Sequence, residues 1–311
     1  MIVFNILFPV FIYVFIGWYL KESSFLPEEF FKGCNKLIFY IGLPAFLFAK
    51  IVTAEFSFDE SLKISLAQLL VMLLSIITAY LTLLFISIPK QSESAFVQVA
   101  FRGNTALVGL PVISFAFTAV NKPHLINLAV IALAPVIPVW NIVTVLLLNL
   151  HSDGKLRQRG NFGTMILRTV YNPLVLSCLL GLAFAVTGLT LPKFILDTCS
   201  RLGGMTLPLA LMAIGATLSF RKLKGGLFVP SAAAFIKILI TPLLAYLLCR
   251  CMSLDYDSTF IVLVYCAAPT AVSAFVMTQQ MGGDAELAAG GIVISTLFSA
   301  IPLIIIVALF L

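Results

Sequence analysis

Charged residues are scarce in this chain. Asp, Glu, Lys and Arg make up 10% of its 311 residues, and hydrophobic residues make up 61%. A soluble domain usually has about 25% charged residues, so a water-soluble globular protein is excluded. Apolar runs of about 20 residues, the length of a helix that crosses a bilayer, recur along the chain. The composition therefore predicts an all-α polytopic membrane protein embedded in a lipid bilayer.

Metal-ligating and nucleic-acid-binding patterns are also missing. The chain has six cysteines and two histidines but no CxxC pair, which argues against a disulfide framework or a zinc site. No run of five basic residues accompanies the net charge of +6, so membrane orientation explains that charge better than nucleic acid does. We expect no metal and no bound cofactor. The first apolar run lacks a basic leader and a cleavage site, and we interpret it as a first span.

Hydropathy predicts ten transmembrane helices. Their approximate limits are 2–20, 34–50, 64–88, 95–120, 125–149, 167–190, 200–220, 227–249, 258–282 and 286–310.

The loops between these spans differ in positive charge. The set of alternate loops that begins after the first span contains ten basic residues, and the opposite set contains six. Positively charged loops are usually cytoplasmic, so both termini are predicted to lie outside. A bacterial cell (inner) membrane is the expected location.

The two halves of the chain share a pattern of prolines. A shift of 164 places Pro9 on Pro173, Pro44 on Pro208 and Pro138 on Pro302. Two similar halves of five spans each must be inverted relative to one another, an arrangement found in secondary transporters. The predicted units are a first five-helix repeat (1–150), a short basic cytoplasmic loop (151–165) and a second, inverted repeat (166–311).

Polar and helix-breaking residues interrupt two of the predicted spans. Span four contains Arg102, Asn104 and Pro111 with glycines between them, and span nine contains Pro269 with two hydroxyl side chains. We predict helix breaks near 104–111, caused by Pro111 and the glycines, and near 268–274. Such breaks expose backbone N–H and C=O groups at membrane depth, where transporters bind substrates. A simple proline kink, with Asn104 bonded to a neighbouring helix, is the alternative. The candidate substrate-binding residues are Asn104, Thr105, Gly109, Pro111, Pro269, Thr270, Ser273 and Gln279.

Two charged residues also lie inside predicted spans. Arg102 is expected at the edge of a cavity, where it attracts anions. Lys237 is a functional candidate because charges inside a membrane are costly, although snorkelling or pairing would explain it equally well. Asn141 either lines a pathway or forms an interhelical hydrogen bond.

The order of motifs resembles the auxin efflux carrier family. The segment 103–112 (GNTALVGLPV) is similar to the Asn-Thr-Leu-Val-x-Gly-Ile-Pro-Leu segment of plant PIN carriers, and 171–174 (YNPL) to the opening of their sixth span. The segment 208–216 is typical of bacterial members. Ala274 departs from the pattern, because the plant carriers have a proline there, and the long plant loop is absent.

The resemblance implies a function and a site. It implies two inverted five-helix repeats in which helices four and nine are broken and cross, and a small organic anion as substrate, auxin-like or malonate-like. Asn104 would contact the carboxylate, and Pro111 would mark the crossover. A homodimer is a possible assembly, and Na⁺ or H⁺ coupling is left open.

The first hypothesis is therefore a secondary transporter of organic anions that works by alternating access, and not an enzyme. A channel or sensory receptor is the alternative from residues alone. An intramembrane enzyme is less favoured because no nucleophile with a base, and no pair of carboxylates, lies within a span.

Overall fold

The computed structural model describes residues 2–53, 58–151, 171, 173–187, 191–217 and 226–311. Within these ranges the chain is helical and has no strand, only one isolated β-bridge. The all-α prediction is confirmed for this part of the chain. The predicted cytoplasmic loop, apart from His151, and Asn172 lie outside the described residues.

The helices follow one another through short connections. In chain order they are α1 (Ile2–Glu22), α2 (Glu28–Leu37), α3 (Leu43–Val52), α4 (Phe58–Leu83), α5 (Lys90–Phe101), α6 (Leu110–Ala119), α7 (His124–His151), α8 (Pro173–Thr187), α9 (Lys193–Thr217), α10 (Phe228–Phe235), α11 (Thr241–Cys251), α12 (Tyr256–Ala267), α13 (Val272–Gln280), α14 (Ala285–Phe298) and α15 (Ala300–Phe310). The chain also has three turns of π-helix. One joins α2 to α3 (Ile38–Gly42), one precedes α6 (Thr105–Gly109), and one joins α10 to α11 (Ile236–Ile240).

Six helical stretches of the described chain are long and apolar enough to cross a membrane. They are Glu28–Val52, Asp59–Leu83, His124–Leu148, Lys193–Ala216, Phe228–Cys251 and Ala285–Phe310. Shorter apolar helices occupy Thr105–Ala119, Leu176–Ala185 and Tyr256–Ala267. Two of these shorter helices belong to the predicted spans four and nine, because each of those spans is divided into two pieces.

Several helices start earlier than hydropathy predicts. The second predicted span begins at Glu28 rather than near 34, and the seventh begins at Lys193 rather than near 200. Hydropathy reports only the apolar part of a helix, whereas charged turns can continue it. The exposed pair Glu28 and Lys32 supports such a turn, with 3.2 Å between the carboxylate and the ammonium one turn apart.

Acidic residues cap two of the later helices. Asp255 accepts hydrogen bonds from the backbone N–H groups of Asp257 and Ser258 at the start of α12. Asp284 caps α14 by accepting a hydrogen bond from Leu287 N at 2.9 Å. It also accepts from Ser92 Oγ at 2.7 Å. This second contact joins the beginnings of α5 and α14.

The helices form two bundles. The small bundle consists of α1, α2, α3, α8 and α9, in which α1 lies along α9 and α3 lies along α8. The large bundle consists of α4, α5 and α10 to α14. Helices α6, α7 and α15 contact members of both bundles and lie where the two meet.

Glycines bring the helices of the small bundle into close contact. A Cβ added at Gly17 would lie 1.9 Å from Met212 O, and one at Gly215 would lie 1.8 Å from Val14 O. Backbone contact of this kind is possible only without side chains, as in other membrane helix pairs. The small bundle is therefore tightly packed along α1 and α9.

Candidate functional site

The first interruption separates α5 from α6. Helix α5 ends at Phe101, and Arg102 is extended, with φ −80° and ψ 94°. Helical conformation resumes at Thr105. The prediction placed this break near 104–111 and attributed it to Pro111. Pro111 instead lies in the first turn of α6, where a missing N–H costs little. The non-helical residues are 102–104.

The second interruption separates α12 from α13. Helix α12 ends at Ala267, and the flanking residues Ala268 and Ala271 have ψ values of 139° and 134°. Pro269 lies between them, and α13 begins at Val272. This break falls within the predicted range 268–274, although a crossover proline is absent at Ala274.

The two interruptions meet. Gly103 and Thr270 form the isolated antiparallel bridge. Asn104 N donates to Pro269 O at 2.7 Å, and Ala271 N donates to Arg102 O at 2.9 Å. Each broken helix thus satisfies backbone groups of the other, which is necessary where water is excluded. The sequence identified both breaks, and the structure shows that they bind each other.

Buried side chains fix this crossing point. Thr270 Oγ1 donates to Val99 O at 2.8 Å, and Ser295 Oγ accepts from Thr270 N at 3.0 Å. A Cβ added at Gly109 would lie 2.8 Å from the ring of Tyr265. Tyr265 is itself held by a bond from its hydroxyl to Ala129 O at 2.9 Å. The segment after the first break is therefore held against α12.

The predicted site residues divide into two groups. Asn104, Thr105, Gly109, Pro111, Pro269 and Thr270 are buried at or beside the crossing point. Ser273 and Gln279 are exposed on α13. The structure therefore brings the first six together and leaves the last two on the protein surface.

Asn104 has an unsatisfied polar group. Only 6% of its surface is exposed, and Nδ2 has no hydrogen-bond partner among the described residues. Its backbone oxygen accepts from Val108 N at 3.0 Å and Gly109 N at 3.2 Å. The side-chain amide is therefore a donor available to a ligand at the start of a helical turn, where further N–H groups point outward.

Two buried cations lie next to the crossing point. Arg102, expected at a cavity edge, is buried, and it donates to Thr144 Oγ1 at 2.5 Å and to Asn141 Oδ1 at 2.7 Å. Asn141 thus forms an interhelical bond. Lys237 Nζ donates to Cys266 O at 2.5 Å, and it would lie 3.2 Å from a Cβ added at Gly103.

Neither cation has an acidic partner within the described part of the chain. The buried charged side chains there are these two alone. The ion pairs found there involve Lys32 and Lys122, which lie elsewhere. No group of His, Cys, Asp and Glu residues suited to a metal was found in the same ranges. The electrostatic character of the crossing point is therefore positive.

Sequence reasoning missed three polar residues near these cations. Gln68 on α4 and Trp140 and Thr144 on α7 are buried. A glutamine within an apolar helix was the one available signal, because a buried amide usually marks a polar contact.

Comparisons with known proteins match nearly the whole chain. A sequence profile of the family described as "Membrane transport protein" matches residues 2–307. An uncharacterized transporter of Methanocaldococcus jannaschii is 27% identical over 96% of each chain. An uncharacterized transporter of Methanothermobacter thermautotrophicus is 24% identical over 94% of each chain. A protein of Rhizobium meliloti named "Putative malonate transporter" is 24% identical over 95% of this chain and 92% of its own.

Proposed function

Because this chain belongs to the membrane transport protein family, that of the auxin efflux carriers, we propose that it is a carrier of small organic anions. The observation that carries the proposal is the pair of buried cations, Arg102 and Lys237, beside the free amide of Asn104. Burying a cation without a counter-charge costs several kcal/mol of desolvation free energy. An anionic ligand that pairs with the cation can offset a cost of that order. Ionisable residues within membranes commonly mark substrate pathways.

A carboxylate fits the donors at the crossing point. Asn104 Nδ2 supplies a side-chain donor, and the turn that starts at Thr105 supplies backbone N–H groups. Arg102 is engaged by Thr144 and Asn141 and acts through its charge rather than by direct contact. Charge-assisted hydrogen bonds are about twice as strong as neutral ones, so few are needed. The name of the R. meliloti relative makes malonate the first carboxylate to test.

The architecture we propose is ten transmembrane helices in two inverted five-helix repeats, 1–150 and 166–311, joined by the basic loop 151–165. Packing in the small bundle supports it. Gly17 faces Met212, and a Cβ added at Gly181 would lie 3.4 Å from Phe48 O. Gly181 follows Gly17 by 164 residues, and Met212 follows Phe48 by the same number. A two-fold axis in the membrane plane would produce this pairing.

Alternating access would arise from movement between the two bundles. The crossing point belongs to the large bundle, whereas the glycine-packed α1 and α9 belong to the small one. A substrate held at the crossing point would be exposed to either side as the large bundle moves against the small one. We propose that both termini lie outside a bacterial inner membrane, which the unequal basic charge of alternate loops supports. We also propose a homodimer, on the basis of the family resemblance. Light scattering of the purified protein measures that assembly.

Counterflow in proteoliposomes tests the proposal. Vesicles loaded with unlabelled malonate should accumulate labelled malonate transiently above equilibrium, because a carrier exchanges one for the other. A channel gives no such overshoot, and a receptor or an enzyme gives no exchange. Sodium and proton gradients imposed on the same vesicles identify the coupling ion. Absence of exchange with every mono- and dicarboxylate, in protein that is folded, would contradict the proposal.

A further inference from the structure

A small cavity beside the crossing point is lined by Gln68 of α4 and by Lys237 of the π turn before α11. We call it the Gln68 cavity. Its volume is about 10 Å³, roughly what one water molecule requires, so an organic anion does not fit inside it. Gln68 is 1% exposed, and neither Oε1 nor Nε2 has a hydrogen-bond partner among the described residues. The side chain that shares this cavity with Lys237 is therefore an unpartnered, neutral amide.

No carboxylate of the described residues compensates Lys237. Its Nζ donates to Cys266 O at 2.5 Å, and none of the described aspartates and glutamates is buried. On the helices that pack against the π turn of Lys237, the acidic residues all lie in the first helical turn. They are Asp59, Glu60, Glu93, Asp257 and Glu286. The positive charge of Lys237 is therefore left for a ligand.

The second buried cation is in the same position. The described hydrogen-bond partners of the Arg102 guanidinium are neutral side chains. The residue after Arg102 is Gly103, and a Cβ added there would lie 3.2 Å from Lys237 Nζ. Both cations thus lie along the first interruption, next to Asn104. A monoanion bound there would leave one buried cation without compensation, whereas a dianion compensates both.

We propose that Gln68 determines the charge of the substrate, so that the site selects a dicarboxylate dianion over a monoanion of the same shape. The inference rests on the proposed function, because it concerns the anion bound at the crossing point. Gln68 acts through Lys237 rather than by touching the substrate. A glutamine keeps Lys237 uncompensated, whereas a glutamate of the same shape would compensate it across a cavity of one water.

Matched pairs of ligands measure this preference in the purified parent protein. Malonate and malonamate have nearly the same shape but carry two and one negative charges at neutral pH, and so do succinate and succinamate. Their affinities are read from the ligand-induced rise in unfolding temperature and from inhibition of counterflow. The dianion of a pair should bind at least about tenfold more tightly than the monoanion, because it compensates one more buried charge.

Substitutions of similar shape assign the preference to Gln68. In Gln68→Glu the preference for the dianion should fall at least about tenfold, because the new carboxylate compensates Lys237, while the monoanion still binds. Lys237→Met removes the charge itself and should lose the preference in the same way. Gln91→Glu is the control, because it adds the same charge at an exposed position in the first turn of α5. It should keep the preference of the parent protein.

Equal affinities of the parent protein for both members of each pair would overturn the inference and leave the carrier function in place. An unchanged preference in folded Gln68→Glu would overturn it as well, and so would an equal loss in Gln91→Glu. If Gln68→Glu does not fold, Lys237→Met decides, and a preference retained in that variant refutes the proposal. Absence of exchange with every mono- and dicarboxylate contradicts the proposed function itself, so the two failures are distinguishable.

Discussion

Replacement of Asn104 by alanine separates ligand binding from folding. Nδ2 has no partner among the described residues, so its removal strands no protein group. The backbone bonds from Asn104 N to Pro269 O and from Val108 N to Asn104 O do not need the side chain. We therefore expect the crossing point to persist in Asn104→Ala, with a change of less than about 1 kcal/mol in the free energy of unfolding.

The effect on substrate binding should be much larger. An amide that donates to a carboxylate in a buried site contributes about 1–3 kcal/mol, the range for hydrogen bonds to charged groups. This corresponds to a loss of about 5- to 150-fold in affinity. The affinity of Asn104→Ala for malonate is read from the concentration dependence of counterflow and from the ligand-induced rise in unfolding temperature.

Asn127→Ala is the matched control. Asn127 lies in the first turns of α7, outside the two interruptions 102–104 and 268–271, and also has an unpartnered buried side-chain atom, Oδ1. Its replacement should leave the affinity for malonate unchanged. If Asn104→Ala bound and exchanged malonate as well as the parent protein does, the proposed carboxylate contact would be refuted. The two buried cations would then have to bind the anion without this amide.

Three further predictions concern packing, the crossing point and topology. Gly17→Ala should lower the free energy of unfolding by about 1–3 kcal/mol, because its Cβ would meet Met212 O. The control Gly33→Ala has open space around the new Cβ and should not lower it. Equal unfolding temperatures for the two variants would contradict the reasoning. Thr270→Val should cost about 1 kcal/mol through loss of its bond to Val99 O, and an unchanged thermal transition would show that this bond is dispensable. In a cysteine-free background, a cysteine placed within 151–161 should resist an impermeant maleimide in intact cells; rapid labelling from outside would reverse the orientation.

Much of the fold is readable from the sequence because lipid imposes a simple rule. Backbone groups within a bilayer must bond internally, so apolar runs of sufficient length become helices. The same rule makes polar and glycine-rich stretches within those runs conspicuous. The predicted breaks near 104–111 and 268–274 were identified in this way, and the structure interrupts its helices at 102–104 and 268–271.

The details of the interruptions were less predictable. Pro111 is a predicted cause of the first break, yet it lies inside the first turn of α6. A proline is compatible with a helix start as well as with a helix break, and only the conformation of the preceding residues distinguishes the two. Helix limits at Glu28 and Lys193 were missed for a related reason, since charged turns carry no hydropathy signal.

The sequence by itself determined that this protein lies in a lipid bilayer, that it is helical, and which six candidate residues gather at the crossing point. Those features depend on local composition and on the spacing of helix breakers. Only the tertiary structure decided which groups meet: Asn104 with Pro269, Lys237 with the carbonyl of Cys266, and Arg102 with Thr144. Ser273 and Gln279, equally plausible by type, were placed on the surface. The physical reason is that a polar residue in an apolar helix requires a partner, and the choice of that partner depends on packing between segments distant in the chain.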